Sequence, residues 1–169
     1  AVREKEAALA KAREAARAEF AAWKRPEKVS SPGLVASYSF DELKGGKLEN
    51  AANPNLPGSP HDGAKFVPGK RGQAAALTGE NGFDFPGVGH FSKDDPFTLA
   101  LWVNPTKLAQ RALVVHQSRA PIDAGSRGYE LLLEDGRVAL GLHHMWPGNS
   151  LKVRTKSAVP INQWSHIAA

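Results

Sequence analysis

The 169-residue sequence has no cysteine, and it also lacks any long apolar run. Without cysteine, the chain cannot form a disulfide framework, a thiolate zinc site or a CxxCH haem attachment. No apolar run approaches the roughly 20 residues that cross a bilayer, and the N-terminal residues lack the hydrophobic region of a signal peptide. The sequence therefore predicts no membrane insertion, and its length suits one ordinary domain with an appendage.

A basic stripe with interleaved aromatic residues is also missing. The net charge is +5, but residues 1–26 hold 7 Lys or Arg against 4 Glu, and subtraction from the totals of 22 and 17 leaves 15 against 13 for the rest. More than half of the positive excess therefore sits in the N-terminal segment. The sequence predicts no nucleic-acid partner.

The N-terminal segment has no glycine or proline and consists mainly of Ala, Glu, Lys and Arg, which are strong helix formers. It predicts a helix over 1–25, ended by Pro26, and a linker over 26–33. One apolar stripe repeats every seven residues at Val2, Leu9, Ala16 and Trp23. With Phe20, Trp23 thickens the stripe at its C-terminal end, where we expect the helix to dock.

After the linker the pattern changes to short alternating runs typical of strands. Period-2 alternation places Phe97, Leu99, Leu101 and Val103 on one face, and the apolar run predicts Trp102 in the core. Asp135-Gly136 between two apolar runs predicts a tight hairpin. Strands are predicted at 34–40, 97–103, 112–117, 129–133, 138–143, 151–155 and 164–168. The fold class is therefore mainly β, an antiparallel sandwich of the jelly-roll type over 34–169 preceded by one α-helix.

Two blocks carry a family resemblance, 65–86 and 97–105, with matches at Gly69, Lys70, Gly72, Ala74, Gly79, Trp102 and Pro105. They resemble the laminin G-like family of concanavalin A-like lectin/glucanase jelly rolls. The opening 34–41 is similar to the family's first strand, and 164–169 to a later one. The resemblance covers 34–169 and implies further strands after Ala169, so we expect the sandwich to be incomplete at its C-terminus.

The segments 126–137 and 143–154 resemble more narrowly the sandwich inserted in planctomycete-type multidomain proteins that also carry a cytochrome-c-like domain. This resemblance implies a periplasmic, cell-surface or extracellular location. It also implies a partner that is either a glycan or a protein domain of the same parent chain. An alternative role is a structural insert that positions neighbouring domains, for which Phe20 and Trp23 are the sequence signal.

A glycoside hydrolase of the same fold is the enzymatic alternative, since it needs two carboxylates about 5 to 9 Å apart. No Glu-x-Asp-x-Glu run occurs. Glu130 and Glu134 share a strand face, but Glu134 and Asp135 are interpreted as hairpin residues. His143 and His144 point to opposite faces and cannot chelate one metal as a strand pair. The sequence therefore predicts no catalytic residue and a non-catalytic binding module.

Sugar recognition needs an aromatic ring to stack on and polar groups to bond hydroxyls. Trp146 precedes Pro-Gly-Asn and is predicted at a loop or strand end. The candidate ligand-binding residues are Arg119, Asp123, Arg127, His144, Trp146 and Asn149. Calcium is a possible cofactor, because oxygen-bearing side chains gather in one predicted loop region, although without EF-hand spacing. The candidate calcium ligands are Asp41, Glu49, Asn50 and Asp62.

Overall fold

The computed structural model describes residues 2–22, 31–118, 127–145 and 148–169. The chain divides into two compact units, Ala1–Leu34 and Val35–Ala169. The first contains one helix, α1 (Val2–Ala22), within the segment predicted to be helical. The described side chains of this helix, 4–17, are all exposed. The predicted docking of Phe20 and Trp23 lies outside the described side chains, as do the end of the helix near Pro26 and most of the linker.

The second unit is antiparallel β structure throughout, which confirms the predicted class. Three two-stranded ladders pair β1 with β4, β2 with β3, and β5 with β10, and a four-stranded sheet has the order β6-β7-β8-β9. The strands are β1 (Ser59–His61), β2 (Lys65–Pro68), β3 (Gln73–Ala76), β4 (Gly82–Asp84), β5 (Ala100–Val103), β6 (Arg111–Ser118), β7 (Gly128–Glu134), β8 (Arg137–Met145), β9 (Asn149–Arg154) and β10 (Ser165–Ala168).

The strands predicted after residue 97 are all present. The hairpin between β7 and β8 has Asp135 at φ 49° and Gly136 at φ 75°, the positive angles that a two-residue turn of this kind requires. Alternation over 97–103 is also correct, because Leu101 and Val103 are partly buried while Ala100 is exposed. The strand is shorter than predicted, although Leu99 and Ala169 still exchange two backbone hydrogen bonds beyond its end.

The strand predicted at 34–40 is absent. Phe40 has a positive φ of 60°, which interrupts an extended chain, and the Ser37 N–H donates to the Asn50 side chain instead of to a neighbouring strand. Tyr38 donates its hydroxyl hydrogen to the Leu56 carbonyl. The segment is therefore a loop held by side-chain contacts, and Tyr38 and Phe40 pack on Phe85 without forming a ladder.

Each face of the four-stranded sheet follows from the register, because directly paired antiparallel residues lie on the same face. One face, which we call the apolar face, includes Tyr129, Leu131 and Leu133 of β7. Tyr129 packs on Phe97 and Phe91, with ring centroids 4.9 and 6.0 Å away, and donates to the Gly89 carbonyl. The β7 part of this face therefore forms the core with the segment that leads into β5, whereas Leu151 and Val153 of β9, on the same face, are exposed.

The opposite face, which we call the polar face, carries charged side chains from all four strands. A β-bulge between Leu113 and Val115 keeps His116 on this face, opposite Glu130. Leu132 and Ala139 are fully buried in its middle. The charged and imidazole residues that the register places there are Arg111, His116, Glu130, Glu134, Arg137, His143, Lys152 and Arg154.

Candidate functional site

The predicted ligand-binding residues that the structure describes lie at one end of the four-stranded sheet. Arg127 immediately precedes β7, His144 lies near the end of β8, and Asn149 begins β9. The Arg127 Nη2 atom lies 3.0 Å from Nδ1 and 3.2 Å from Nε2 of His144. Because Asn149 pairs with Met145, next to His144, the ends of the three strands meet here. The other three candidates, Arg119, Asp123 and Trp146, lie outside the described residues.

Gly128 is the first residue of β7 and follows Arg127 directly in the sequence. Its φ is 141°, a conformation that residues with side chains rarely adopt. A Cβ atom added there would lie 1.8 Å from the Gln117 carbonyl oxygen of the neighbouring strand β6. Close approach of β6 to β7 therefore requires glycine at the position that follows Arg127.

Two of the candidate calcium ligands are used to hold the backbone. Asp41 Oδ1 accepts a hydrogen bond of 2.8 Å from the Gln73 N–H, and this bond lowers the pKa of the Asp41 carboxyl. Asn50 is fully buried, and its Oδ1 accepts from three backbone N–H groups. Those donors are Ser37, Ala52 and Asn53. Both side chains therefore have a structural role.

The carboxylates of the other two candidates each contact a basic side chain. Glu49 pairs with Lys44, whose pKa it raises, and Asp62 pairs with His61 at 3.1 Å. A shallow cleft beside Glu49 is also lined by Lys47, so cations of the protein already occupy its polar rim. Within residues 2–22, 31–118, 127–145 and 148–169, no group of three or more His, Cys, Asp or Glu could hold a metal ion. Calcium binding therefore stays a prediction that this geometry does not support.

Sequence analysis missed a buried charged cluster on the polar face, centred on Glu130. The Glu130 side chain is only 4% exposed. Its Oε1 lies 3.2 Å from His143 Nε2 and 3.8 Å from Lys152 Nζ, and its Oε2 lies 3.7 Å from Arg111 Nη2. Lys152 also pairs with Glu134. Alternation alone places Glu130 and Lys152 on one face, but it does not reveal that the carboxylate is buried.

The cluster has room only because its central β8 position is glycine. Gly141 pairs with Glu130 on one side and with Lys152 on the other. A Cβ atom at Gly141 would lie 2.4 Å from His143 Nε2 and 3.0 Å from Glu130 Cγ. The two side chains therefore lie flat across the glycine, and the sheet accommodates their contact without separating its strands.

The cluster lacks the arrangement that glycoside hydrolysis needs. A glycosidase places the sugar between two carboxylates, one of them protonated. Here Lys152 contacts both Glu130 and Glu134, and its ammonium occupies the space between them. Glu130 is also shielded from solvent, so its carboxylate cannot reach a glycosidic oxygen in this conformation. The described contacts are those of a buried ion-pair network.

His143 also contacts a serine, with 3.0 Å between Nδ1 and the Ser150 Oγ. The sequence of contacts from Ser150 through His143 to Glu130 contains the residue types of a nucleophilic triad. The Ser150 Oγ also lies 3.3 Å from the Met145 carbonyl oxygen. Because the His143 side chain is only 2% exposed, a substrate cannot reach its imidazole in this conformation. His144 is exposed whereas His143 is buried, and the strand register shifts between His143 and Met145, so the predicted placement on opposite faces stays a prediction.

The prediction that Trp102 lies in the core is wrong, because this side chain is 45% exposed. It alternates with Leu101 and Val103, and these two point inward, so Trp102 points outward. Its ring lies 5.1 Å from that of His166, the directly paired residue of β10. The Lys70 ammonium lies 5.3 Å from the centre of the indole. The alternation could have identified this exposed aromatic, but the apolar run around it favoured the core.

Comparison with known proteins gives one family. Residues 77–169, which are 93 of the 169, match the model of the concanavalin A-like lectin/glucanases superfamily. The match covers β4 to β10 and does not reach the segment from residue 34 that the sequence resemblance included. No curated protein and no solved structure matches the chain. In the described residues, no helix is long and apolar enough to cross a membrane.

Proposed function

Because the chain belongs to the concanavalin A-like lectin/glucanases superfamily, we propose that it is a non-catalytic module that binds carbohydrate at one end of the four-stranded sheet. The observation that carries the proposal is the exposed contact between Arg127 and His144. A guanidinium and an imidazole held together at the protein surface offer several hydrogen-bonding groups to sugar hydroxyls. The contact holds both side chains in place before a ligand arrives, which reduces the entropy cost of binding.

The proposed contact surface spans residues 119–128 and 143–150. Asn149 adds an amide that both donates and accepts hydrogen bonds. From the sequence, Trp146 supplies the ring on which a sugar stacks, and Arg119 and Asp123 contribute further polar groups. The laminin G-like type of this superfamily is typical of exported proteins, so the proposed location is periplasmic, cell-surface or extracellular. The alternative ligand is a protein domain of the same parent chain.

Binding is favoured over hydrolysis because the carboxylates that share the polar face already have partners. Glu130 and Glu134 both contact Lys152, and Glu130 is buried. The Arg127–His144 surface, in contrast, includes no carboxylate among its described residues. A surface with donors and amides but no acid and base pair can hold a sugar without cleaving it.

A glycan array probed with the full chain tests this proposal, followed by titration of each bound glycan with the variants Arg127→Ala and Trp146→Ala. We expect each variant to weaken binding about tenfold, the effect of losing an anchor residue at a small interface. Arg13→Ala, which removes an exposed arginine of α1, is the matched control and leaves binding unchanged. Binding that survives both substitutions in folded protein contradicts the proposed surface. An array with no bound glycan favours the structural insert.

A further inference from the structure

The described residues contain a second exposed aromatic site, on a different sheet from the proposed contact surface. Trp102 and His166 are paired across β5 and β10, and both side chains lie on the face opposite Leu101 and Ile167. Ile167 is buried at 7% exposure, which identifies its face as the inner one. Trp102 is therefore presented on the outer face, where nothing in the apolar core requires an indole.

The Lys70 ammonium lies over the ring of this indole. Lys70 lies in the exposed turn between β2 and β3, and its Nζ is 5.3 Å from the ring centre. A hydrated ammonium over an aromatic ring interacts weakly at an exposed site, so a ligand can displace it. Because the lysine stem is flexible, the ammonium can move aside and remain within reach of a group bound on the ring.

The charge of the residues near Trp102 indicates which kind of sugar this site would bind. Lys70 lies over the indole, and the next residue in the same turn, Arg71, is also exposed and cationic. Asp41 lies beside the same turn, but its carboxylate is bonded to the Gln73 N–H. A neutral sugar could stack on the indole but would form no ion pair with Lys70 or Arg71. An anionic sugar uses the ring and the cations together.

We propose that Trp102, His166 and Lys70 form a binding site for an anionic pyranose, with the sugar stacked on the indole and its acidic group paired with Lys70. The site is independent of the surface around Arg127, since it is built on β5, β10 and the β2–β3 turn. His166 contacts the indole from the neighbouring strand and supports its orientation. The same chemistry is offered by a uronic acid or a sulfated sugar.

Isothermal titration of the full chain tests the site with tri-galacturonate, its fully methyl-esterified form, and a sulfated galactose trisaccharide. We expect the two anionic probes to bind and the ester to bind about tenfold more weakly. The relative affinities of the carboxylated and sulfated probes identify which acid the site prefers. Absence of binding by both anionic probes, or equal binding of the ester, overturns the proposal.

Variants assign the binding to this site. We expect Trp102→Ala to weaken tri-galacturonate binding about tenfold or more and Lys70→Met, which keeps the stem and removes the charge, about fivefold. Trp102→Phe keeps an aromatic ring and is expected to keep part of the affinity. It replaces Trp102→Ala in the test if the alanine variant does not fold. Arg13→Ala, which removes an exposed arginine of α1, leaves this binding unchanged. If Arg127→Ala abolishes binding while Trp102→Phe and Lys70→Met do not affect it, the probe uses the other surface and the proposal fails.

Discussion

The four-stranded sheet β6–β9 and the segment from Val35 to Asp84 are built by different means. The sheet has strands of 6 to 9 residues, and its side chains alternate between a core face and a charged face. The earlier segment has strands of 3 or 4 residues and many turns. There the side chains of Asn50 and Asp41 accept hydrogen bonds from the backbone across sequence separations of 13 and 32 residues. Regular pairing of long alternating strands stabilises the sheet, whereas individual side-chain hydrogen bonds to the backbone stabilise the earlier segment.

The sheet depends most on the balance of charge around Glu130, so Glu130→Gln is expected to have the largest effect. The variant leaves Lys152 and His143 beside a neutral amide, and removing one member of a buried ion pair costs about 3 kcal/mol of unfolding free energy. Lys152 and Arg111 retain some contact with solvent, which keeps the cost at the lower end of the range. Chemical denaturation measures the change.

Glu134→Gln is the matched control for this substitution, since it removes a carboxylate from the same face and the same lysine. Glu134 is more exposed than Glu130, at 21% against 4%. We expect a loss of about 1 kcal/mol or less, as for a pair near the surface. Equal effects of the two substitutions would show that burial of Glu130 does not determine its contribution.

In the earlier segment, Asn50→Ala is expected to have the next largest effect. The variant removes the acceptor for three backbone N–H groups, and leaving partly buried donors unpaired costs about 2 kcal/mol. Asn55→Ala, at an exposed position of the same loop region, is expected to change stability by about 0.5 kcal/mol or less. Thermal unfolding of the two variants provides the comparison. A stable Asn50→Ala protein would mean that the segment is held by its aromatic packing alone.

Substitution of Asp41 is expected to have the smallest effect on stability, and the size of this effect depends on pH. The Gln73 N–H lowers the pKa of the Asp41 carboxyl below its ordinary value of 3.8, so the ionised form is favoured in the folded state. The resulting stability is present above the unfolded pKa and is lost as pH falls through the lower folded pKa. Asp41→Asn should therefore flatten the decline in melting temperature below about pH 4.

Asp84→Asn is the control for the pH experiment, because the exposed Asp84 carboxylate accepts no hydrogen bond from a backbone N–H within the part of the chain that the structure describes. The role assigned to the Gln73 contact would be contradicted if the melting temperatures of wild type and Asp41→Asn fell with the same slope between about pH 4 and the acid transition.

The difference between the two regions explains what could be predicted from the sequence. Alternation of apolar and polar residues located β6 to β10, and Asp135-Gly136 located their central hairpin. The same rule failed at 34–40, because Phe40 adopts a positive φ that no periodic pattern reveals. Short strands such as β1 and β4 have too few residues to establish a period.

The candidate site was predictable only where neighbouring strands determine it. Arg127 and His144 come together because β7 and β8 are joined by a recognisable hairpin. The burial of Glu130 and the exposure of Trp102 depend on which sheet face is covered, and a single strand's composition does not state that. The structure thus adds a charged cluster and an outward aromatic that the sequence patterns had concealed.

The central claim is that this sandwich binds carbohydrate without cleaving it, while Glu130 serves only the stability of the sheet. The most direct measurement is the release of reducing ends from a glycan that the chain binds, compared between wild type and Glu130→Gln under conditions where both are folded. The account predicts no release by either protein and retained binding by both. Release by wild type that is lost in Glu130→Gln would contradict it.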